Sequence, residues 1–262
     1  MPPTAADDAL PQYSLTGILA IWLAVSLPMP LLAFWVAPRL SAATGLHPGI
    51  AIWVLLTGGM IWQFVLSVWL LRREGWRGGW TDFRRRTWLQ TPRDPATGRP
   101  SARLLWWALP VIVATALVEI TPMADWLAAP FLWIAPVLAE VPEPDISSLA
   151  SPEFVGAWWL VALALVSFAF NYFLGEELLF RGVLLPRMAG VFGRWDWVAN
   201  AVAFGTYHLI RPLTIPSIVI STLFWTLPSR RYRSIWFSII PHVVEGLFLL
   251  VLVFGVVSGL AF

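Results

Sequence analysis

The stretch NYFLGEELLFRGVLL (residues 171–185) sets Glu176, Glu177 and Arg181 inside a run apolar enough to lie in a lipid bilayer. An ionised group at the centre of a membrane helix costs about 2.5 to 3.5 kcal/mol even on lenient insertion scales. Each charge therefore needs a partner. Residues four apart share a helix face, so Glu177 and Arg181 can pair directly. Glu176 stands five positions before Arg181, about 140° round an α-helix. Its neighbours at three and four positions, Tyr172, Phe173, Leu179 and Phe180, carry no charge. A carboxylate left alone in low dielectric must take up a proton or find a partner on another helix.

The rest of the chain agrees that the solvent is lipid. Of its 262 residues 58% are hydrophobic and 12% charged, with a mean hydropathy of +0.73, which predicts an all-α, polytopic transmembrane bundle rather than a soluble domain. All 17 basic residues are arginine, and a net charge of +2 is too small to mark a nucleic-acid binder. Without cysteine there is no disulfide framework, thiolate metal site or cysteine nucleophile.

Apolar runs long enough to span as helices predict about seven crossings, near 14–37, 48–71, 104–122, 154–175, 196–210, 213–228 and 234–260, the fifth and sixth being short. The first is expected to be retained rather than cleaved as a signal peptide. The loop 72–103 carries nine arginines and the linker SRRYR (229–233) three more, so both are expected on the cytoplasmic face. The segment 123–153 holds Asp125, Glu140, Glu143, Asp145 and Glu153 with no basic residue, which suits the opposite face, and WLAAPFLWIAPVLA within it reads as an interfacial or re-entrant helix.

This alternation predicts an N-terminus inside, a C-terminus outside and Glu176 near the cytoplasmic end of the fourth helix. The chain divides into an N-terminal tail (1–13), N-terminal membrane helices with the two charged loops (14–153) and a core (154–262). The arginine loop is first a topology determinant and second a contact for anionic lipid headgroups. Eighteen tryptophans suit membrane interfaces and need no cofactor. Gly255 and Gly259 have a spacing that can bring helices together, and oligomeric state is left open.

Three histidines occur. His47, in GLHPGI, reads as a solvated loop residue. His208 follows Phe204 by one turn, and His242 precedes Glu245 by three residues. Glu176, His208 and His242 lie on three separate predicted helices that can converge within a bundle. Such a set can serve only to hold helices together, at about 1 kcal/mol per contact, but ionisable groups inside a membrane are functional hypotheses by default. A glutamate beside neutral imidazole and sheltered from bulk water can act as general base on a trapped water. A second imidazole can then donate to the oxyanion formed when that water attacks a carbonyl. The same three residues can instead hold zinc with an open position for water. The set lacks the close histidine spacing of the common helix-borne zinc motif, so the metal-free reading, with no cofactor, is preferred.

At these residues the sequence resembles the CPBP family of intramembrane glutamic endopeptidases, which includes the type II CAAX prenyl proteases and abortive-infection relatives. The family's two glutamates, three residues and an arginine stand here as Glu176, Glu177 and Arg181. Its phenylalanine, three residues and histidine stand as Phe204 and His208, and its last histidine, after SIWFSIIP, as His242. The resemblance covers roughly residues 154–255. It implies that Glu176 and His208 activate water, that His242 stabilises the oxyanion, and that Glu177 and Arg181 hold the helix in place.

The family usually has asparagine or aspartate four residues after this histidine, where this chain has Gly246. Loss of such a donor costs two to three orders of magnitude in rate, roughly, unless Glu245 or a water replaces it. The resemblance implies a peptide or protein substrate, with or without a lipid. The alternatives are a non-catalytic relative that binds a membrane protein or peptide, and a proton relay in a transporter, for which the sequence shows no clear repeat. The absence of lysine points to a GC-rich genome and thus to a bacterial plasma membrane.

Overall fold

The computed structural model describes residues 10–142 and 147–260; the tail residues Asp7 and Asp8 and, in the acidic segment, Glu143 and Asp145 lie outside them. Among the described residues the fold is all helix, with nine principal helices joined by short 3-10 turns. They are α1 (Leu15–Thr44), α2 (Pro48–Arg73), α3 (Trp80–Arg86), α4 (Ala102–Ile120), α5 (Met123–Ile134), α6 (Trp159–Arg187), α7 (Asp196–Tyr207), α8 (Pro212–Tyr232) and α9 (Trp236–Ser258). Six of them, α1, α2, α4, α6, α8 and α9, are long and apolar enough to cross a membrane.

Local chemistry sets the ends. Ser14 caps α1 by accepting from the Gly17 N–H at 3.1 Å, and Gly45 stops it at φ 71°. His47, expected as a solvated loop residue, instead caps α2: its Nδ1 accepts from the Gly49 N–H at 3.2 Å, and its ring packs edge-on against Phe154. Gly259 ends α9 in the left-handed conformation, so its glycine is explained as a helix stop.

Two expectations change and a third holds. The fourth crossing continues as α6 to Arg187, so Glu176 lies about 16 Å of helix rise inside that end rather than near it. The fifth is only the twelve-residue α7, about 18 Å long, which pairs along α8 as a hairpin. The helix expected in the acidic segment forms as α5, also too short to span.

Backbone hydrogen bonds sort the loops onto two ends. Arg93 N–H donates to the Tyr232 carbonyl at 2.8 Å and Ile235 N–H to that of Trp88 at 3.0 Å, so the arginine loop and the 229–235 linker share one end. Tyr13 N–H donates to the Arg187 carbonyl at 3.0 Å and places the start of α1 there too. At the other end Gly156 N–H donates to the Val257 carbonyl at 2.8 Å. The two arginine-rich segments and the start of α1 thus lie at one end of the bundle, apart from the Gly156–Val257 contact.

The arginine-rich end is locked by a buried pair that the sequence reading passed over. Arg187 is fully buried, and its Nε and Nη2 each donate to the Glu74 carboxylate at 2.6 Å, joining α6 to the end of α2. Tyr13 hydrogen-bonds the same carboxylate, and Arg187 Nη1 reaches the Arg86 carbonyl at 3.2 Å. Within α3, burial opposes the charge on Asp82, but hydrogen bonds from Arg86 and Arg85 hold its carboxyl below the ordinary range. The loop is therefore an ordered cap on the bundle.

Closer to the motif, Gly175 lets α2 lie directly against α6, because a Cβ there would sit 2.7 Å from the Met60 carbonyl oxygen. Two predictions follow from this packing. Glu74→Ala strands a buried guanidinium and should remove about 3 to 5 kcal/mol of stability, read as a fall in Tm in detergent, while Glu74→Ala with Arg187→Met should recover much of it. Gly175→Ala should also lower Tm, since two backbones must separate to admit the methyl.

Candidate functional site

Between residues 170 and 184 α6 leaves α-geometry: Phe170–Gly175 and Leu178–Leu184 are π-helical turns, with Glu176 and Glu177 at the join. The wider turn pairs residues five apart. Asn171 consequently faces Glu176, and its amide nitrogen donates to both carboxylate oxygens, at 3.1 and 3.2 Å. That partner escaped the sequence reading because the reading assumed 100° per residue. Tyr207 is a second partner within hydrogen-bonding reach of Glu176, and its hydroxyl is fixed by the Gln63 Nε2 donor of α2 at 2.7 Å.

Glu177 is more central than a clamp for one arginine. Its Oε1 accepts from Arg181 Nη1 at 3.2 Å, as the four-residue spacing requires, and from His242 Nδ1 at 2.9 Å. All three side chains are essentially removed from solvent. Arg181 is completed by aromatic faces: its guanidinium lies 3.9 Å from the Phe204 ring centre and 5.5 Å from that of Trp225. Phe204 thereby serves as a platform for the charge, while its backbone carbonyl meets His208 Nδ1 at 3.0 Å. A carbonyl only accepts, so Nδ1 carries the proton and Nε2 of a neutral His208 presents a lone pair.

His242 presents its Nε2 3.9 Å from Glu176 Oε2. Glu176, His208 and His242, from α6, the end of α7 and α9, line one cavity of about 950 Å³. Its walls include Met29 of α1, Trp53 and Met60 of α2 and Glu119 of α4, so the N-terminal helices help to form the chamber. Glu245 also lines it. Among the described residues no three His, Asp or Glu side chains converge closely enough to hold a metal ion.

Gly246 is buried, and a Cβ on it would run into the ring of Tyr172 from α6. The space an asparagine would need is taken by that phenol. Tyr172 packs edge-on against both Phe168 and His242, at centroid distances of 5.1 and 4.8 Å, and lines the same cavity.

No curated protein and no solved structure matches the chain. Residues 157–248 match the family described as Type II CAAX prenyl endopeptidase Rce1-like, in agreement with the resemblance carried by the three motifs. That segment contains Glu176, Phe204, His208 and His242, which line one cavity, and Glu177 and Arg181, which are packed behind it. Over this core the chain is similar to the Rce1-like family of type II CAAX prenyl endopeptidases.

Proposed function

We propose that the protein hydrolyses a peptide bond within the membrane without a metal, using water activated by Glu176 and His208. The observation that carries the reading is the convergence of Glu176, His208 and His242 from three helices on one cavity. A water held by Glu176 and the His208 lone pair gives up a proton to Glu176 as its oxygen bonds to the substrate carbonyl carbon. The carbonyl π pair moves onto oxygen, where His242 donates from Nε2. When the C–N bond breaks, the proton passes from Glu176 to the leaving nitrogen.

For Nε2 to donate while Nδ1 donates to Glu177, His242 carries both ring protons, and Glu177 supplies the compensating charge. Glu177 is thus a positioning residue for His242, and Arg181 holds Glu177. The family name supports a substrate ending in a prenylated CAAX sequence, and the mixed lining of the cavity suits a peptide that carries an apolar group. The arginine-rich end supports an orientation with that end in the cytoplasm and the chain in a bacterial plasma membrane. A second reading, a non-catalytic relative that binds a membrane protein or peptide, draws on Gly246.

Cleavage of lipidated and unlipidated quenched peptides by purified protein in detergent separates them. Glu176→Gln and His208→Ala should each lower turnover about 10²- to 10⁴-fold at unchanged Tm, and a chelator should have no effect. Glu177→Gln and Arg181→Ala should instead reduce the yield of folded protein, because each strands a buried charge. If folded wild type cleaves none of the peptides, the binding reading stands in place of the catalytic one. Inhibition by the chelator would overturn the metal-free mechanism.

A further inference from the structure

We infer that Tyr172 is a catalytic residue of this chain, its phenol supplying to the oxyanion the hydrogen bond that a side chain at position 246 cannot give. The inference rests on the hydrolytic reading above and names a group that the reading leaves out. Gly246 faces inward from α9, one turn beyond His242, and the Tyr172 ring occupies the notch left by its missing side chain. The exchange is steric in both directions: a side chain at 246 excludes the ring, and the ring excludes a side chain.

The ring is held in place. Phe168 packs edge-on against one part of it and His242 against another, with planes 62° and 85° apart, and Tyr172 is only 7% exposed. Tyr172 lines the chamber that also holds Glu176 and His242.

Two phenols line that chamber, and their partners distinguish them. The Tyr207 hydroxyl accepts from Gln63, which directs its proton to the Glu176 carboxylate. The Tyr172 hydroxyl lies beside the neutral Asn171 amide, whose nitrogen is engaged by Glu176. A neutral amide oxygen is the weaker acceptor: hydrogen bonds to an ionised oxygen are about twice as strong. As the carbonyl pair moves onto oxygen, the phenol donates its hydrogen bond to the oxyanion and keeps its proton throughout. Asn171 remains on Glu176 as a positioning residue.

The test uses full-length protein in detergent and an internally quenched peptide that wild type cleaves, drawn from a set ending in a farnesylated cysteine plus three residues and its unlipidated equivalents. Tyr172→Phe keeps the ring in its notch and should lower kcat about a hundredfold, with KM and Tm close to wild type. Gly246→Ala, which displaces the ring, should lose turnover similarly. Tyr172→Ala empties the notch, and adding Gly246→Asn to it should restore part of the lost kcat, an outcome that a purely structural ring would not give. Wild-type kcat in Tyr172→Phe, alongside an inactive Glu176→Gln, would overturn the role of Tyr172 and leave the protease reading intact. Failure of folded wild type to cleave any peptide would overturn both, since no oxyanion then forms.

Discussion

The architecture depends on a single carboxylate that serves an arginine and a histidine. Glu177 accepts from Arg181 on its own helix and from His242 on α9, in a region with no solvent to take over either role. Removing charge from water is tolerable only when a partner is fixed in advance, and the bundle fixes it on three sides. The four-residue spacing sets Arg181, the helix crossing sets His242, and the Phe204 and Trp225 rings cover the face of the guanidinium. The His242 ring, which lines the cavity, is thereby oriented by a residue that does not line it.

Much of this was legible in the chain. Composition gave the helical membrane fold, and the arginine-rich segments identified loops that do share one end of the bundle. The pairing of Glu177 with Arg181 followed from helical periodicity. Asn171 was hidden because it lies five residues from Glu176, a separation that becomes a contact only on a π-turn. Arg187 was hidden for another reason: it sits just past the expected end of its helix, where arginine ordinarily faces water, and its partner Glu74 is 113 positions away. Gly246 could be read as a loss but not as an exchange, since nothing in α9 announces a ring arriving from α6.

The two π-turns also explain how adjacent glutamates can do different things. Glu176 is turned to the cavity and met by an amide and a phenol, whereas Glu177 is turned into the packed interior and met by an arginine and a histidine. Neighbouring residues on a regular helix already diverge by about 100°. The wider turns add a close five-residue contact on the side of Glu176 without disturbing the four-residue contact of Glu177.

The chamber wall formed by Met29, Trp53, Met60 and Glu119 lies on helices that precede the family-matching core. Those helices cannot be exchanged as a passive wrapper, because Gly175 seats α2 directly on the motif and Glu74 bolts it to Arg187. Division of labour within the chain therefore runs across the chamber rather than along the sequence. One wall carries the groups of the family-matching segment, and the facing wall, from the preceding helices, gives the space its shape.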